Sequence, residues 1–271
     1  IALSIRFPPF ERSAFVTAGK HGIAVITPLQ VQGSASNAWL RLGAMDLIAD
    51  RLRIGGISVP PSESVVALLQ SVAAAADSDA ELQAVRRSTS AEFVVRGKAT
   101  QAADGWTMQL RAIAADGAVL AVEAKHTDAL RAAAEVADRL LARLGLAQPP
   151  LAPTSNVLQD RLQRAQAAML ANDLESARDI LVSDPDLERS EPELRYRLAQ
   201  LDFRAGRYVE ADTSLTALLA GTPTTGSLFL LGLLVVIPGL AIGQRTVRGA
   251  LPRRFMAGCL HVMSLQLMMG W

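Results

Sequence analysis

The chain has 271 residues, of which half are apolar and a fifth are charged. That composition is typical of a folded protein, and the length allows two domains or one domain with an accessory array. The formal net charge of +1 excludes nucleic-acid binding by bulk electrostatic attraction, so we expect no direct nucleic-acid binding by this chain. A single cysteine, Cys259, excludes an internal disulfide framework and a multi-cysteine metal site.

Residues 1–22 form a lead-in that the sequence determines poorly. The chain begins with Ile1 rather than Met, so we interpret it as a fragment, a processed form or a partial reading frame. The segment contains three phenylalanines and a Pro-Pro pair. It lacks the charged start, long apolar run and small-residue cleavage site of a secretory signal.

Periodic patterns predict a mixed α/β domain over residues 23–147. The stretch "IAVITPLQV" (23–31) is rich in β-branched residues and predicts one buried strand. The following "NAWLRLGAMDLIADRLRI" predicts an amphipathic helix with Asn37 as its N-cap. Next, "ISVPP" predicts a second short strand, Ser62 is expected to cap a second helix, and "SDAE" (78–81) has the spacing of a capping box for a third.

The pattern then changes to three strands, "AEFVVRGKATQ", "GWTMQLRAIAA" and "AVLAVEAKH". Asp104-Gly105 and Asp116-Gly117 separate them, and an Asp-Gly pair between alternating segments predicts a hairpin because both positions accept positive φ at low cost. Trp39 and Trp106 are expected to pack rather than to stack on a ligand. A closing amphipathic helix follows in "DALRAAAEVADRLLARLG", whose apolar side carries Leu130, Ala134, Ala137, Leu141 and Leu144.

This domain resembles the amino-terminal-type domain of TolB and its relatives. The matching pieces are "IAVITPLQV", "WLRLGAMDLIADRLR" followed by "ISVPPSESV", and "AEFVVRGKATQAADGWTMQLRAI" leading to "EVADRLLARLG". The resemblance covers a little under half of the chain, and its motifs are sequence patterns rather than catalytic signatures.

A Pro-rich segment at residues 148–154 predicts a linker, and residues 155–220 then repeat at an offset of 34 residues. The period predicts two tetratricopeptide-like helical hairpins, with Gly206 and its counterpart Asn172 at the turns, where positive φ is needed. Because two repeats bury too little surface to stand alone, the array must continue, dock or be capped. The offset pairs Ala165 with Ala199, Met169 with Phe203, Leu174 with Tyr208, Ala177 with Ala211, and Leu181 with Leu215.

Residues 221–271 form a hydrophobic tail without Asp or Glu, and "LFLLGLLVVIPGLAI" (228–242) is apolar throughout. We expect a membrane span over residues 227–243, near the lower limit of about 17 residues. The arginines that follow it predict a cytoplasmic tail with the bulk of the chain outside, in the periplasm. Two alternatives stay open, a buried core helix and a tail read from a shifted frame. Without a span, the location would be cytoplasmic.

The sequence offers no catalytic constellation. His21, His126 and His261 lack metal-binding spacing, and Cys259 has no neighbouring histidine, so we expect no enzyme, no cofactor and no metal. Most charge clusters indicate solvated helix faces. The functional alternative is that arginines of the repeat hold an acidic protein or peptide partner through bidentate contacts. The candidates are Arg161, Arg164, Arg195 and Arg197.

The predicted fold class is α+β: a mixed α/β domain, then an all-α tetratricopeptide helical-hairpin region and the hydrophobic tail. That combination resembles the C-terminal effector half of CadC/ToxR-like winged-helix transcriptional regulators, which are bacterial and membrane-linked. No winged helix precedes Ile23, and the candidate span follows the repeats, which puts DNA binding by this chain in doubt. We therefore expect a non-catalytic sensory or protein-interaction module of such a regulator. The alternative is a membrane-anchored cell-envelope assembly or structural protein.

Overall fold

The computed structural model describes residues 22–71, 85–149, 156–184, 191–219, 226–228 and 230–232. Several predictions lie outside them: most of the lead-in, the capping box, most of the linker and of the tail, and His21, Cys259 and His261. Of the candidate span 227–243, the structure describes 227–228 and 230–232. No helix in the described ranges combines the length and the apolar character that crossing a membrane requires.

The chain divides into two compact units, Ile1–Ile180 and Leu181–Trp271. The predicted α+β class is confirmed at the level of a mixed sheet with many helices; the predicted domain boundaries stay predictions. In chain order the elements are β1 (Ala24–Ile26), β2 (Gln30–Gln32), a 3-10 turn (Ala35–Asn37), α1 (Leu40–Ile54), α2 (Ser62–Ser71), β3 (Phe93–Ala102), β4 (Gly105–Ala114), β5 (Val119–His126), α3 (Ala129–Arg143), α4 (Asn156–Leu170), α5 (Leu174–Val182), α6 (Pro192–Arg204) and α7 (Tyr208–Leu219).

The sheet of the first unit combines a parallel edge with an antiparallel meander. Strands β3, β4 and β5 pair antiparallel in sequence order, as the three alternating segments predict. Strands β1 and β2 both run parallel to β3. The second strand predicted at "ISVPP" is wrong, since that segment contributes only an isolated bridge between Ser58 and Ile23. Pro60 and Pro61 follow the bridge, and neither has an N–H to extend it.

The single strand predicted over residues 23–31 is also wrong, because the edge is interrupted between β1 and β2. Ile26 pairs with Val95, and Gln30 pairs with Lys98. The edge segment therefore advances four residues while β3 advances three. The extra residue acts as a bulge. Pro28 lacks an N–H within it, and the Leu29 amide turns away to donate to the Arg41 carbonyl at 3.0 Å.

The bulge also directs the Leu29 side chain into the core, where its exposed fraction is 1%. Gly97 of β3 accommodates it, because a Cβ at that position would lie 2.6 Å from Leu29 Cγ. A larger residue at 97 would therefore displace Leu29.

Two predicted helix caps differ from the structure. Asn37 belongs to the 3-10 turn and donates its side-chain N–H to Gln101 Oε1 at 3.0 Å, so it does not cap α1, which begins at Leu40. Ser62 is the first residue of α2 rather than its cap. Its buried hydroxyl has no hydrogen-bond partner among the described residues.

The core of the first unit lies between one face of the sheet and helices α1 and α3. Alternate residues of β4 are buried on this face, from Trp106 through Met108 and Leu110 to Ala112. Helix α4 packs on the outside of α1. The apolar side predicted for α3 is confirmed, since every member is buried: Leu130, Ala134, Ala137, Leu141 and Leu144.

The second unit contains a helical hairpin in which α6 packs against α7. Phe203 and Tyr208 close its turn with their rings edge to face, at a centroid distance of 5.7 Å. The fully buried carboxylate of Asp202 accepts a hydrogen bond from Arg207 Nε across the same turn, at 2.8 Å. The apolar core comprises Ala199, Ala211, Leu215, Leu218 and Leu230.

The turns at residues 171–173 and 205–207 have equivalent geometry. Asn172 has φ 61° and Gly206 has φ 76°, as predicted. The Asp173 N–H donates to the Ala168 carbonyl at 2.9 Å, and the Arg207 N–H donates to the Asp202 carbonyl at 2.8 Å. These donors and acceptors are related by the 34-residue offset, so the repeat holds in the backbone as well as in the sequence.

Side-chain burial follows the same offset at most of the paired positions. Ala177 and Ala211 are fully buried, and so are Leu181 and Leu215. Leu174 and Tyr208 each begin a helix, but Leu174 is half-buried and Tyr208 is 40% exposed.

Candidate functional site

The four arginines predicted to hold a partner lie on two helices. Arg161 and Arg164 belong to α4 in the first unit, and Arg195 and Arg197 belong to α6 in the second. Arg161, Arg195 and Arg197 are half-buried, whereas Arg164 is exposed. The buried Nε of Arg195 has no hydrogen-bond partner among the described residues.

Arg164 and Arg197 are engaged within their own helices. Arg164 Nε lies 2.7 Å from Asp160 Oδ2, and its guanidinium covers the Trp39 ring at 4.9 Å from the centroid. Arg197 Nε donates to Glu193 Oε1 at 3.1 Å. Such pairs four residues apart stabilise a helix by about 0.3–0.5 kcal/mol. Both arginines therefore have a structural role, and their predicted role in partner binding stays a prediction.

The remaining candidates from the sequence also have structural roles. His126 ends β5, and its Nδ1 accepts the backbone N–H of Asp128 at 2.9 Å. Asp128 in turn caps α3 by accepting the Arg131 N–H at 2.8 Å. Trp106 is buried, as predicted, and Trp39 is half-buried beneath Arg164.

Metal-binding chemistry can be assessed only where side chains are described. Within those ranges, no group of three or more His, Cys, Asp or Glu side chains is arranged to hold a metal ion.

The more informative surface is the face of the sheet opposite the helices. Strand alternation places Arg96, Lys98 and Thr100 of β3 on this open face, because Val95, Gly97 and Ala99 are buried on the other. The same alternation places Gln109 and Arg111 of β4 beside them. From Arg96 to Thr100 this face is therefore polar and rich in positive charge, whereas Val94, which lies on the same face, is buried.

At the β2 side of this face lies a groove of about 640 Å³, which we call the basic groove. Its cationic side chains are Arg41 from the start of α1, Arg96 and Lys98 from β3, and Arg111 from β4. Among the described residues that line it, none is Asp or Glu. The groove is thus locally cationic in a chain whose net charge is only +1.

The sheet register fixes how these cations are arranged. Arg96 lies directly opposite Arg111, and Lys98 lies between Gln30 of β2 and Gln109 of β4. Among the described residues, neither Lys98 nor Arg111 has a carboxylate within ion-pair distance.

The acidic residue on the neighbouring strand does not compensate this charge. Glu123 of β5 lies opposite Gln109 and accepts the Gln109 side-chain N–H at 2.8 Å. Its other oxygen lies 3.8 Å from Lys125 Nζ. Glu123 is therefore directed to Gln109 and Lys125, and the groove can accept negative charge from a ligand.

Sequence reasoning missed the basic groove. One indication was present, because "RGK" within β3 places two cations on the same face by simple alternation. The contribution of Arg41 could not be expected, since it depends on the bulge that brings the start of α1 against the edge strand.

No protein-family profile matches this sequence, and no curated protein matches it. Among solved structures, the C-terminal domain of LpoB from Salmonella enterica is similar over 40% of this chain and 83% of that chain, with 11% identity and a TM-score of 0.33. The corresponding domain from Escherichia coli has the same coverage, 13% identity and a TM-score of 0.30. At these TM-scores the likeness supports no assignment of function to this chain.

Proposed function

We propose that this chain is a non-catalytic protein-interaction module whose first docking surface is the basic groove. The observation that supports the proposal is that Lys98 and Arg111 line the groove without a carboxylate within ion-pair distance among the described residues. The described lining of the groove also includes no Asp or Glu. Surface cations of this kind can bind an anionic group of a partner.

The 34-residue repeat supports the same class of function. Its period and the shared turn geometry at Asn172 and Gly206 are features expected of tetratricopeptide-like repeats, which act as protein-binding scaffolds. Together with the sequence resemblance of residues 23–147 to TolB-type domains, they favour the effector part of a CadC/ToxR-like regulator. We retain that assignment as part of the proposal.

The proposal is tested by affinity purification of the full chain from cells, with proteins identified by mass spectrometry. Comparison with a doubly neutralised Arg96→Gln/Arg111→Gln chain and with a matched Lys125→Gln/Arg143→Gln control isolates the groove. We expect a protein retained by the native chain and by the control, and lost from the groove variant. Equal retention by all three chains would contradict docking in the groove.

A second function, a membrane-anchored cell-envelope assembly protein, is favoured by one observation. Residues 221–271 contain no acid, and the run at 228–242 is wholly apolar. Membrane fractionation of the full chain and of a chain that ends at Leu219 tests this function. Loss of membrane association on truncation would support it, and recovery of both chains in the soluble fraction would exclude it.

A further inference from the structure

We infer that the hairpin of α6 and α7 masks the start of the apolar run that follows it, so that packing on the hairpin and insertion into a membrane exclude each other. The inference rests on the second proposed function, the membrane-anchored protein, and adds the regulation of its anchor. The contacts that carry it are made by residues 226–228 and 230–232, which we call the seated segment. The hairpin and the seated segment both belong to the second unit.

The seated segment completes the apolar core of the hairpin. Leu230 is 7% exposed and lies within that core. Its partners there are Ala199 of α6 and Ala211, Leu215 and Leu218 of α7. Leu231 packs against the same cluster, and Ser227 is buried with an exposed fraction of 1%. The start of the apolar run is therefore part of the folded second unit.

A close approach at Gly226 fits the segment to α6. A Cβ at Gly226 would lie 2.6 Å from Tyr196 Oη and 3.0 Å from Tyr196 Cζ, closer than nonbonded atoms pack. The Tyr196 oxygen is also held by a hydrogen bond from Gln200 Nε2 at 3.1 Å, so the ring cannot move away without loss. A residue larger than glycine at 226 would therefore push the segment and α6 apart.

The length of the apolar run makes the two states exclusive. The candidate span 227–243 is near the lower limit of about 17 residues for a hydrocarbon core roughly 30 Å thick. Without the seated segment, residues 233–243 remain, and as a helix they would rise about 16 Å. That rise is roughly half of the thickness to be crossed. A membrane-spanning state must therefore take Leu230 out of the hairpin core.

The hairpin covers the seated segment only in part. Leu228 is 55% exposed and Leu231 is half-buried, whereas Leu230 is buried. A membrane would remove this remaining apolar surface from water, which is favourable, but it would leave the hairpin core without Leu230. The contacts between hairpin and segment therefore set the balance between the two states, and a substitution that weakens them should favour insertion.

Two glycine substitutions in the full chain test the inference with the same added methyl group. Gly226→Ala places a Cβ against Tyr196, whereas Gly232→Ala places one where no described atom lies within 4 Å. Hydrogen exchange of peptides covering 226–232, read by mass spectrometry, reports whether the segment is packed. We expect exchange in Gly226→Ala to be about fivefold faster or more, because overpacking destabilises the packed state. Exchange in Gly232→Ala should stay within about twofold of the native chain.

Flotation of the same chains with cell membranes on a density gradient reports membrane association, since aggregates do not float. We expect Gly226→Ala to raise the ratio of membrane-bound to soluble chain about fivefold or more, and Gly232→Ala to leave it within about twofold. Tyr196→Phe/Gly226→Ala lacks the oxygen that the new Cβ approaches, so both measurements should return part of the way to native values. A chain that ends at Leu219 gives the background without the segment.

Three outcomes overturn the inference: native exchange in Gly226→Ala, equal flotation of the native chain and both glycine variants, or rapid exchange in a Gly226→Ala chain that stays soluble. Failure of the proposed function is distinguishable. If all full-length chains float equally and truncation at Leu219 abolishes flotation, the anchored function stands and the masking fails. If the native chain is soluble and Gly226→Ala floats, the masking stands and the native chain is not anchored.

Discussion

Arg96 on β3 lies directly opposite Arg111 on β4, on the face of the sheet opposite helices α1 and α3. The next two pairs along this face are polar and compatible with close approach, Lys98 with Gln109 and Thr100 with Thr107, whereas Val94 with Ile113 on the other side is apolar. The opposed arginines are therefore the like-charge pair among these cross-strand contacts. We therefore predict that removing one of the two facing charges changes the free energy of unfolding.

Arg111→Gln should stabilise the folded chain while it weakens binding. Removing one of two facing like charges should raise the free energy of unfolding by about 0.2–1 kcal/mol. The gain should shrink at high salt, because salt already screens exposed charges. Urea unfolding at low and high salt, followed by circular dichroism, measures the gain in stability and its dependence on salt. Lys125→Gln is the control, and a less stable Arg111→Gln chain would show that Arg111 supports the fold.

For the ion pair between α1 and α3, we predict the opposite effect: removing one partner should lower the stability of the fold. Arg51 Nη2 lies 2.6 Å from Asp138 Oδ1 and 2.8 Å from Oδ2, and it also donates to the Pro149 carbonyl at 2.9 Å. The side chains are only 9% and 16% exposed. Asp138→Ala leaves the arginine charge buried without its partner and should lower the free energy of unfolding by about 3–5 kcal/mol.

A double variant separates the cost of the unpaired charge from the value of the pair. Replacing both partners with apolar residues, Arg51→Met/Asp138→Leu, should be much less destabilising than Asp138→Ala alone, because no buried charge is left. Equilibrium urea unfolding of the three chains gives the comparison. If the double variant is the least stable, the ion pair itself contributes more than the desolvation argument allows.

The hairpin register shows where prediction from sequence ends. The Asp104-Gly105 pair predicts a hairpin, and a hairpin is present. The pair does not occupy the two turn positions, because Ala102 pairs with Gly105 and the turn residues are Ala103 and Asp104. With Asp104 and Gly105 as the turn, Lys98 would face Arg111, so the opposed arginines were not predictable from the turn motif.

The repeat in residues 155–220 was more predictable, because its 34-residue period carries the turn geometry and, at most of the paired positions, side-chain burial. Asn172 and Gly206 are the residue types that tolerate positive φ, so their positions fix where each turn lies. The bulge after Ile26 had no comparable indication, since Pro28 interrupts a run that otherwise alternates as a strand. Arg41 lines the groove beside that interruption, where the Leu29 amide donates to its carbonyl.

Substitutions at the two positive-φ turn positions, Gly206 and Asn172, should change the stability of the fold by different amounts. Gly206→Ala should cost about 1–2 kcal/mol, because φ at this position is 76° and an L side chain is disfavoured there. A Cβ at Gly206 would meet no atom within 4 Å, so the cost is one of backbone conformation and not of packing. Gly206→Asn should cost less, since Asn tolerates this conformation.

Asn172→Gly is the matched control for the other turn. With φ already at 61°, glycine relieves strain there, so the free energy of unfolding should change little or rise. Thermal unfolding monitored by circular dichroism compares the variants. Equal destabilisation by Gly206→Ala and Gly206→Asn would show that the turn conformation does not set the cost.

Tyr196 on α6 predicts a pH dependence of stability in the alkaline range. Burial raises the pKa of its phenol above the ordinary value of 10.0; Arg197 acts to lower the pKa, Glu193 to raise it, and the hydrogen bond from Gln200 to lower it. The folded chain therefore holds this proton at a pH where the unfolded chain has lost it. The resulting stabilisation is complete below pH 10 and is lost as the pH rises through the folded-state pKa.

Tyr196→Phe removes this titration, so its free energy of unfolding should fall less steeply above pH 10 than that of the native chain. The comparison between chains cancels the contribution of lysines and other groups common to both. Gln200→Ala removes the hydrogen bond to the Tyr196 oxygen, which lies 3.1 Å from Gln200 Nε2, and should move the loss of stability to higher pH. Urea unfolding across the alkaline range measures all three chains. If Tyr196→Phe and the native chain follow the same curve, the buried phenol is not the group that sets alkaline stability.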